Sequence, residues 1–222
     1  MYKVEYKYQR ICSLNGEVLG GELLVDPERT FFGDRYDVYD EVITNYRYTL
    51  SLVKRIIYKL DENMLTHRKL YRVNMFINLE LEHLNFIEVI EAIDELNSKL
   101  MQVGSRLIVE VTERIPNLSA STYTYALKFL RSHGVSLAID DLDIKFDHRL
   151  SLVDEGYFDF IKLEWDVILS EEIGTFISKN KYSNIILERV EDVSEVKNSL
   201  NGLSYVWGLQ GFYYCKGIPI FI

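Results

Sequence analysis

Leu107-Ile-Val-Glu110-Val, then Thr122 to Ser132, then Ser136-Leu-Ala-Ile-Asp140-Asp141: the fold is decided in this stretch. Two short apolar runs, each the length of a strand, flank a segment whose apolar residues recur at helical spacing. His133-Gly134 supplies a helix stop before the second run. Runs apolar on both faces suit parallel strands covered by helices, and a parallel pair needs a crossover of this kind.

The same unit repeats outward. Apolar runs at Val73–Leu79, Phe158–Leu163, Ile185–Leu187 and Tyr205–Leu209 predict further strands. The helical segments between the strands are Tyr39–Leu60, Phe86–Leu100, Thr122–Ser132, Ile144–Glu155, Glu171–Lys179 and Val193–Leu200. Towards the start, Val4–Ile11 and Val18–Val25 flank Asn15-Gly16, which predicts an antiparallel hairpin. Two hairpin strands and six helix-then-strand units make eight strands in 222 residues. That count favours a closed barrel over a doubly wound sheet. The expected fold is a TIM-like (βα)8 barrel in the α/β class with an antiparallel first strand, one domain over 1–222.

Composition narrows the function classes. A formal net charge of -9 with no basic stripe argues against duplex nucleic acid as a partner. No apolar run approaches the roughly 20 residues needed to span a bilayer, and the first residues alternate like a strand, so no membrane or secretory segment is expected. A cytoplasmic location follows by default. Cys12 and Cys215 sit in no C-x-x-C pair, and the four histidines have no zinc-like spacing.

The chemistry lies at the strand ends. Glu22, Asn78, Glu110, Asp140 with Asp141, Lys162, Glu188 and Gln210 each interrupt or end a different apolar run. One such residue is unremarkable, but in a βα barrel these ends converge on one face. Carboxylates about 4 Å apart repel by roughly 4 kcal/mol at an effective dielectric of 20, so five of them need compensation. Lys162 offers one charge. Hard divalent ions suit an all-oxygen set, and two of them, Mg²⁺ or Mn²⁺, would clamp a phosphate ester for attack by water.

In order, the segments E-L-L, I-N-L, E-V-T-E, D-D, F-I-K, E-R-V-E and Q-G-F-Y-Y, spread from Tyr8 to Tyr214, resemble those of the EAL domain family. The resemblance implies a barrel phosphodiesterase that opens cyclic di-GMP to linear pGpG. It implies metal ligation by Glu22, Asn78, Glu110 and Asp140, with Asp141 on a second ion. Lys162 would steady the attacking water, and Glu188 would act as general base or metal neighbour. Gln210, Glu191 and Leu24 would line the substrate pocket, and Glu113 would hold the loop after the D-D pair. A homodimer is a further expectation, with Tyr123 and Tyr125 on a candidate face.

Several positions depart from the family pattern. Asp26 replaces the Arg of E-A-L-x-R, Leu142-Asp-Ile-Lys145 replaces F-G-T-G, Arg189 replaces the Gly of E-G-V-E, and Glu164 replaces an Asp. Arg29 and Arg35 are the nearest basic residues in sequence to the lost Arg. These departures leave two readings open: an active phosphodiesterase, or a degenerate domain that senses cyclic di-GMP or binds a protein.

Overall fold

The computed structural model describes residues 4–30, 36–63, 73–114, 120–199 and 205–220. β1 (Tyr6–Cys12) and β2 (Val18–Val25) form the expected hairpin, with Gln9 opposite Glu22 and Ile11 opposite Gly20. α1 (Tyr36–Thr44) and α2 (Tyr46–Asn63) lead to β3 (Asn74–Leu79). Then come α3 (Ile87–Gln102), β4 (Leu107–Val111), α4 (Ala120–Ser132), β5 (Ser136–Ile139) and α5 (Leu150–Asp154). β6 (Phe160–Glu164), α6 (Ile173–Lys179), β7 (Asn184–Glu188), α7 (Val193–Ser199) and β8 (Val206–Gln210) complete the series. β2 to β8 are parallel neighbours in sequence order, and β1 closes the ring antiparallel to both β2 and β8.

Three expectations needed correction. A ninth strand, β9 (Ile218–Ile220), pairs with Tyr6–Tyr8 of β1. Residues of β8 reach only Ile11 and Cys12, so without β9 the first half of β1 would be an open edge. Pro219 lies within β9, where an edge position tolerates proline. The helix expected over Tyr39–Leu60 is two helices, parted at Asn45, whose side-chain oxygen accepts the Arg47 N–H. The helix expected over Ile144–Glu155 shrinks to α5. Asp143 accepts the N–H groups of Lys145 and Phe146, and Asp147 that of Arg149, so side chains hold these amides in turns.

The period-2 alternation of the strands builds the interior in layers. Ile11, Phe76, Ile108, Ala138, Phe160 and Ile186 form a closed apolar cluster inside the ring. On β2 and β8 the corresponding places are Gly20 and Gly208, where a side chain would collide with Phe76 or Ile11. A bulge between β7 and β8 leaves Trp207 as an extra residue, and its ring packs on Phe160 and Phe76. The outward residues, among them Ile77, Val109, Leu137, Ile161 and Leu187, are fully buried beneath the helices. Val89, Ile93, Leu96 and Leu100 of α3 supply a matching stripe.

A Cβ on Gly20 would lie 2.6 Å from the Asn74 carbonyl oxygen, which belongs to the paired strand and cannot retreat. Gly20→Ala is therefore expected to lower unfolding free energy by about 1–3 kcal/mol, read by urea denaturation.

Candidate functional site

Two residues further along each strand, the apolar layer gives way to a polar one. Phe76 is followed by Asn78, Ile108 by Glu110, Ala138 by Asp140, Phe160 by Lys162, Ile186 by Glu188, Gly20 by Glu22 and Gly208 by Gln210. Because β1 runs the other way, its contribution lies two residues before Ile11, at Gln9. Gln9 was not among the residues expected here. Its signal was the reversed direction of the hairpin strand, which turns the same alternation backwards.

The ammonium of Lys162 stands at the centre. Its Nζ lies 2.7 Å from Asp140, 2.9 Å from Glu188, 3.0 Å from Glu110 and 3.1 Å from Glu22. An ammonium has three N–H donors, too few for four carboxylates. Hydrogen bonds reach Glu22 and Asp140. Both oxygens of Glu110, Oε2 of Glu188 and Oε1 of Gln210 are buried without a hydrogen-bond partner. Glu22 is the best satisfied of the acids, since Gln210 Nε2 donates to it at 2.7 Å and Asn78 Nδ2 donates as well. The Gln210 amide also donates to Gln9 Oε1.

Charge is distributed unequally over these acids. Burial and the neighbouring Glu22 push the Glu110 carboxyl well above the usual range. Burial also raises Glu188 far and Asp140 to a lesser extent, against the pull of Lys162. Burial acts on Glu22 too, but Lys162 and the hydrogen bonds from Gln210 and Asn78 outweigh it and hold this carboxyl low. For Lys162, burial favours the neutral amine, and the surrounding carboxylates reverse that and hold it strongly protonated.

The donor set fits hard divalent ions: carboxylates, an amide carbonyl and buried oxygens still lacking a partner. As the side chains stand they gather on the ammonium, and among the described residues no three acids, histidines or cysteines are already grouped for a metal. Glu22, Asn78, Glu110 and Asp140 are the residues that would hold one ion.

The remaining predicted residues lie around this centre. Asp141 follows Asp140 on the solvent side, with a φ of 46° that Asp tolerates. Leu24 lines a cleft of about 320 Å³ that reaches Glu22, Asn78 and Asp140. Glu191 lines a second cleft of about 360 Å³, with Gln9, Asp141, Glu188, Arg189, Gln210 and Phe212. Asp26 lines neither cleft. It is buried at the turn after β2, where its carboxylate accepts the Glu28 N–H. Arg35 lies outside the described residues.

Glu113 is exposed, and among the described residues no hydrogen bond joins it to the loop after Asp141. Arg149, missed in the sequence, holds that loop. Fully buried, it donates to the carbonyls of Val111 and Asp140 at 2.7 and 2.8 Å and pairs with Asp147 at 2.6 Å. It thus ties the ends of β4 and β5 to the loop. A lone Arg in a polar loop carries no periodic signal that marks it as buried.

The EAL domain model matches residues 3–195. The chain belongs to the EAL domain family. Solved EAL structures share its fold. The PaMucR phosphodiesterase in complex with cyclic di-GMP is 21% identical with a TM-score of 0.68, the match covering 97% of each chain. Bacillus subtilis YkuI, in complex with cyclic di-GMP and calcium, is 19% identical with a TM-score of 0.71 over 99% of this chain and 56% of its own. Klebsiella pneumoniae BlrP1 with manganese and cyclic di-GMP is 20% identical with a TM-score of 0.66 over 97% and 56%. The chain thus spans little more than half the length of YkuI and BlrP1. No curated protein sequence matches it. Among the described residues of this EAL domain, no helix is long and apolar enough to cross a membrane.

Two expectations follow. Truncating Arg149 strands Asp147 and two carbonyls, so Arg149→Ala should cost about 3–5 kcal/mol of stability in a denaturation experiment. Glu110, Glu188 and Asp140 ionise less readily folded than unfolded, so their contribution is present below the ordinary values of 4.5 for Glu and 3.8 for Asp and is lost as pH rises through their raised values. Glu22 acts in the opposite sense, one group against three. The melting temperature of protein held in EDTA should therefore fall as pH rises above the ordinary carboxylate range, with the gain on adding Mn²⁺ larger at higher pH. A gain independent of pH would contradict this account of the cluster.

Proposed function

We infer that this EAL domain is a metal-dependent phosphodiesterase that opens cyclic di-GMP to linear pGpG. The observation that carries the reading is the excess of carboxylate over cation at one barrel mouth: four acids within 3.1 Å of a single ammonium. Such a centre attracts further positive charge and, once that is bound, an anionic ester.

Mg²⁺ or Mn²⁺ at Glu22, Asn78, Glu110 and Asp140, with a second ion at Asp141, would supply the positive charge that a phosphate needs here. Lys162 keeps its proton throughout, held by the surrounding carboxylates, and steadies negative charge developing on the attacking oxygen. Glu188 Oε2 is buried and unpartnered, and burial raises its pKa, which makes it a stronger proton acceptor than an ordinary carboxylate. It accepts the proton of the attacking water as the oxygen adds to phosphorus. The P–O3′ bond breaks, the ribose oxygen takes a proton from solvent, and the product keeps a 5′-phosphate. Gln9, Gln210 and Asn78 hold Glu22 and one another in place. The two clefts on either side of the acids, lined by Leu24 and by Glu191, give room for the two nucleotide halves.

A second reading, a regulator that binds cyclic di-GMP or a protein without turnover, draws support from the turn role of Asp26 and the Arg149 clasp in the loop after Asp141. Incubation with cyclic di-GMP and Mn²⁺, with chromatography of the products, separates the two. The enzyme reading expects pGpG from the intact protein and at least a hundredfold less from Glu22→Ala, in line with the loss typical of a group acting on transition-state charge, about 10²–10³. Intact protein that binds the nucleotide and releases no product would establish the regulator.

A further inference from the structure

Among the described residues, Asp141 and Arg189 are the only non-glycine residues with positive φ, 46° and 56°. They face each other across the second cleft. Arg189 Nη2 lies 3.9 Å from Asp141 Oδ2, and Nη1 lies 2.6 Å from Glu164 Oε1. For Arg the left-handed conformation costs about 1–2 kcal/mol, so the surroundings must impose it. They do so through the backbone. The Val190 N–H donates to the Gln210 carbonyl, and the Tyr213 N–H donates to that of Val190. Gly211 packs so tightly that a Cβ there would lie 2.3 Å from the Val190 amide nitrogen. The end of β7 is clamped against the end of β8, and the clamp aims Arg189 over the cleft.

That cleft needs a cation. Its other titratable lining residues, Asp141, Glu188 and Glu191, are acids. Lys162 beneath is 1% exposed and already oversubscribed by four carboxylates. The cation of the first cleft, Arg114, is held between Asp40 at 3.0 Å and Glu80 at 3.4 Å. In Arg189, by contrast, one arm of the guanidinium is tied to Glu164, while the other faces Asp141 at a distance beyond hydrogen bonding. The side chain is 65% exposed, so an incoming group can reach it.

We propose that Arg189 is the phosphate-binding cation of this site, oriented by Glu164 and aimed at a phosphodiester oxygen of the bound dinucleotide. A guanidinium presents paired donors that match two phosphate oxygens, which suits it to this task. Glu164 is then a positioning residue, since it touches Arg189 and not the ligand. The proposal rests on cyclic di-GMP being the ligand, as inferred above.

The test is a calorimetric titration of the intact chain with cyclic di-GMP in calcium, the ion present in the YkuI complex. The dinucleotide is recovered afterwards and checked for hydrolysis. A charge-assisted contact of this kind corresponds to a loss of about 10- to 100-fold in affinity for Arg189→Gly. Arg189→Lys, which keeps the charge without the fork, should fall between. Glu164→Gln should weaken binding by less than Arg189→Gly does. Because glycine adopts positive φ freely, Arg189→Gly should melt no lower than the parent, which separates lost binding from lost folding. Equal or tighter binding by Arg189→Gly would overturn the proposal and leave cyclic di-GMP standing as ligand. Failure of the parent chain itself to bind would overturn both. Binding that weakens as expected without turnover in manganese would sustain Arg189 and remove only the enzymatic reading.

Discussion

The ammonium of Lys162, enclosed by Glu22, Glu110, Asp140 and Glu188, is the constraint to which the upper half of the barrel answers. Removing a charge from water is costly, and a lone buried lysine would tend to lose its proton. Four acids hold the proton on, but they overshoot. Three of them are driven toward their neutral forms, and several oxygens are left without donors. A group of side chains chosen for stability alone would pair one acid with one base, or be apolar. The imbalance marks a place adapted to take up charge from outside.

The apolar layer beneath makes this arrangement affordable. Phe76, Ile108, Phe160, Ile186 and the inserted Trp207 close the barrel against water from below, so the acids open only towards the mouth. Gly20 and Gly208 matter here for their size, since their neighbours occupy the volume a side chain would need. The helices outside bury the opposite faces of the same strands. Strands β2 to β8 therefore serve the outer core, the inner core and the site within four to eight residues, with Asp140 one residue past β5.

Around the mouth, this EAL domain replaces family residues with its own solutions. Arg149 holds the loop after Asp141 through carbonyls of the strands that carry Glu110 and Asp140. Asp26 occupies the place of a family arginine, yet its carboxylate serves the turn after β2. It lines neither cleft beside the acids. Positive charge at the mouth comes instead from Arg189 on the opposite side.

Much of the fold and the polar layer was legible in the sequence, because period-2 alternation within apolar runs is a local property. It places Glu22, Asn78, Glu110, Asp140, Lys162 and Glu188 on one face of their strands wherever those strands come to lie. Local chemistry likewise announced the hairpin at Asn15-Gly16. Other features depended on distance and direction in space. Gln9 joins the site because β1 runs backwards, and β9 exists because β8 leaves half of β1 uncovered. Arg149 is buried because two strand ends and a loop meet over it, and Arg189 is aimed by a clamp between β7 and β8. Which residues alternate is written along the chain; which charges meet, and in what excess, was settled only when the ring closed and brought strand ends far apart in sequence within hydrogen-bonding reach of one ammonium.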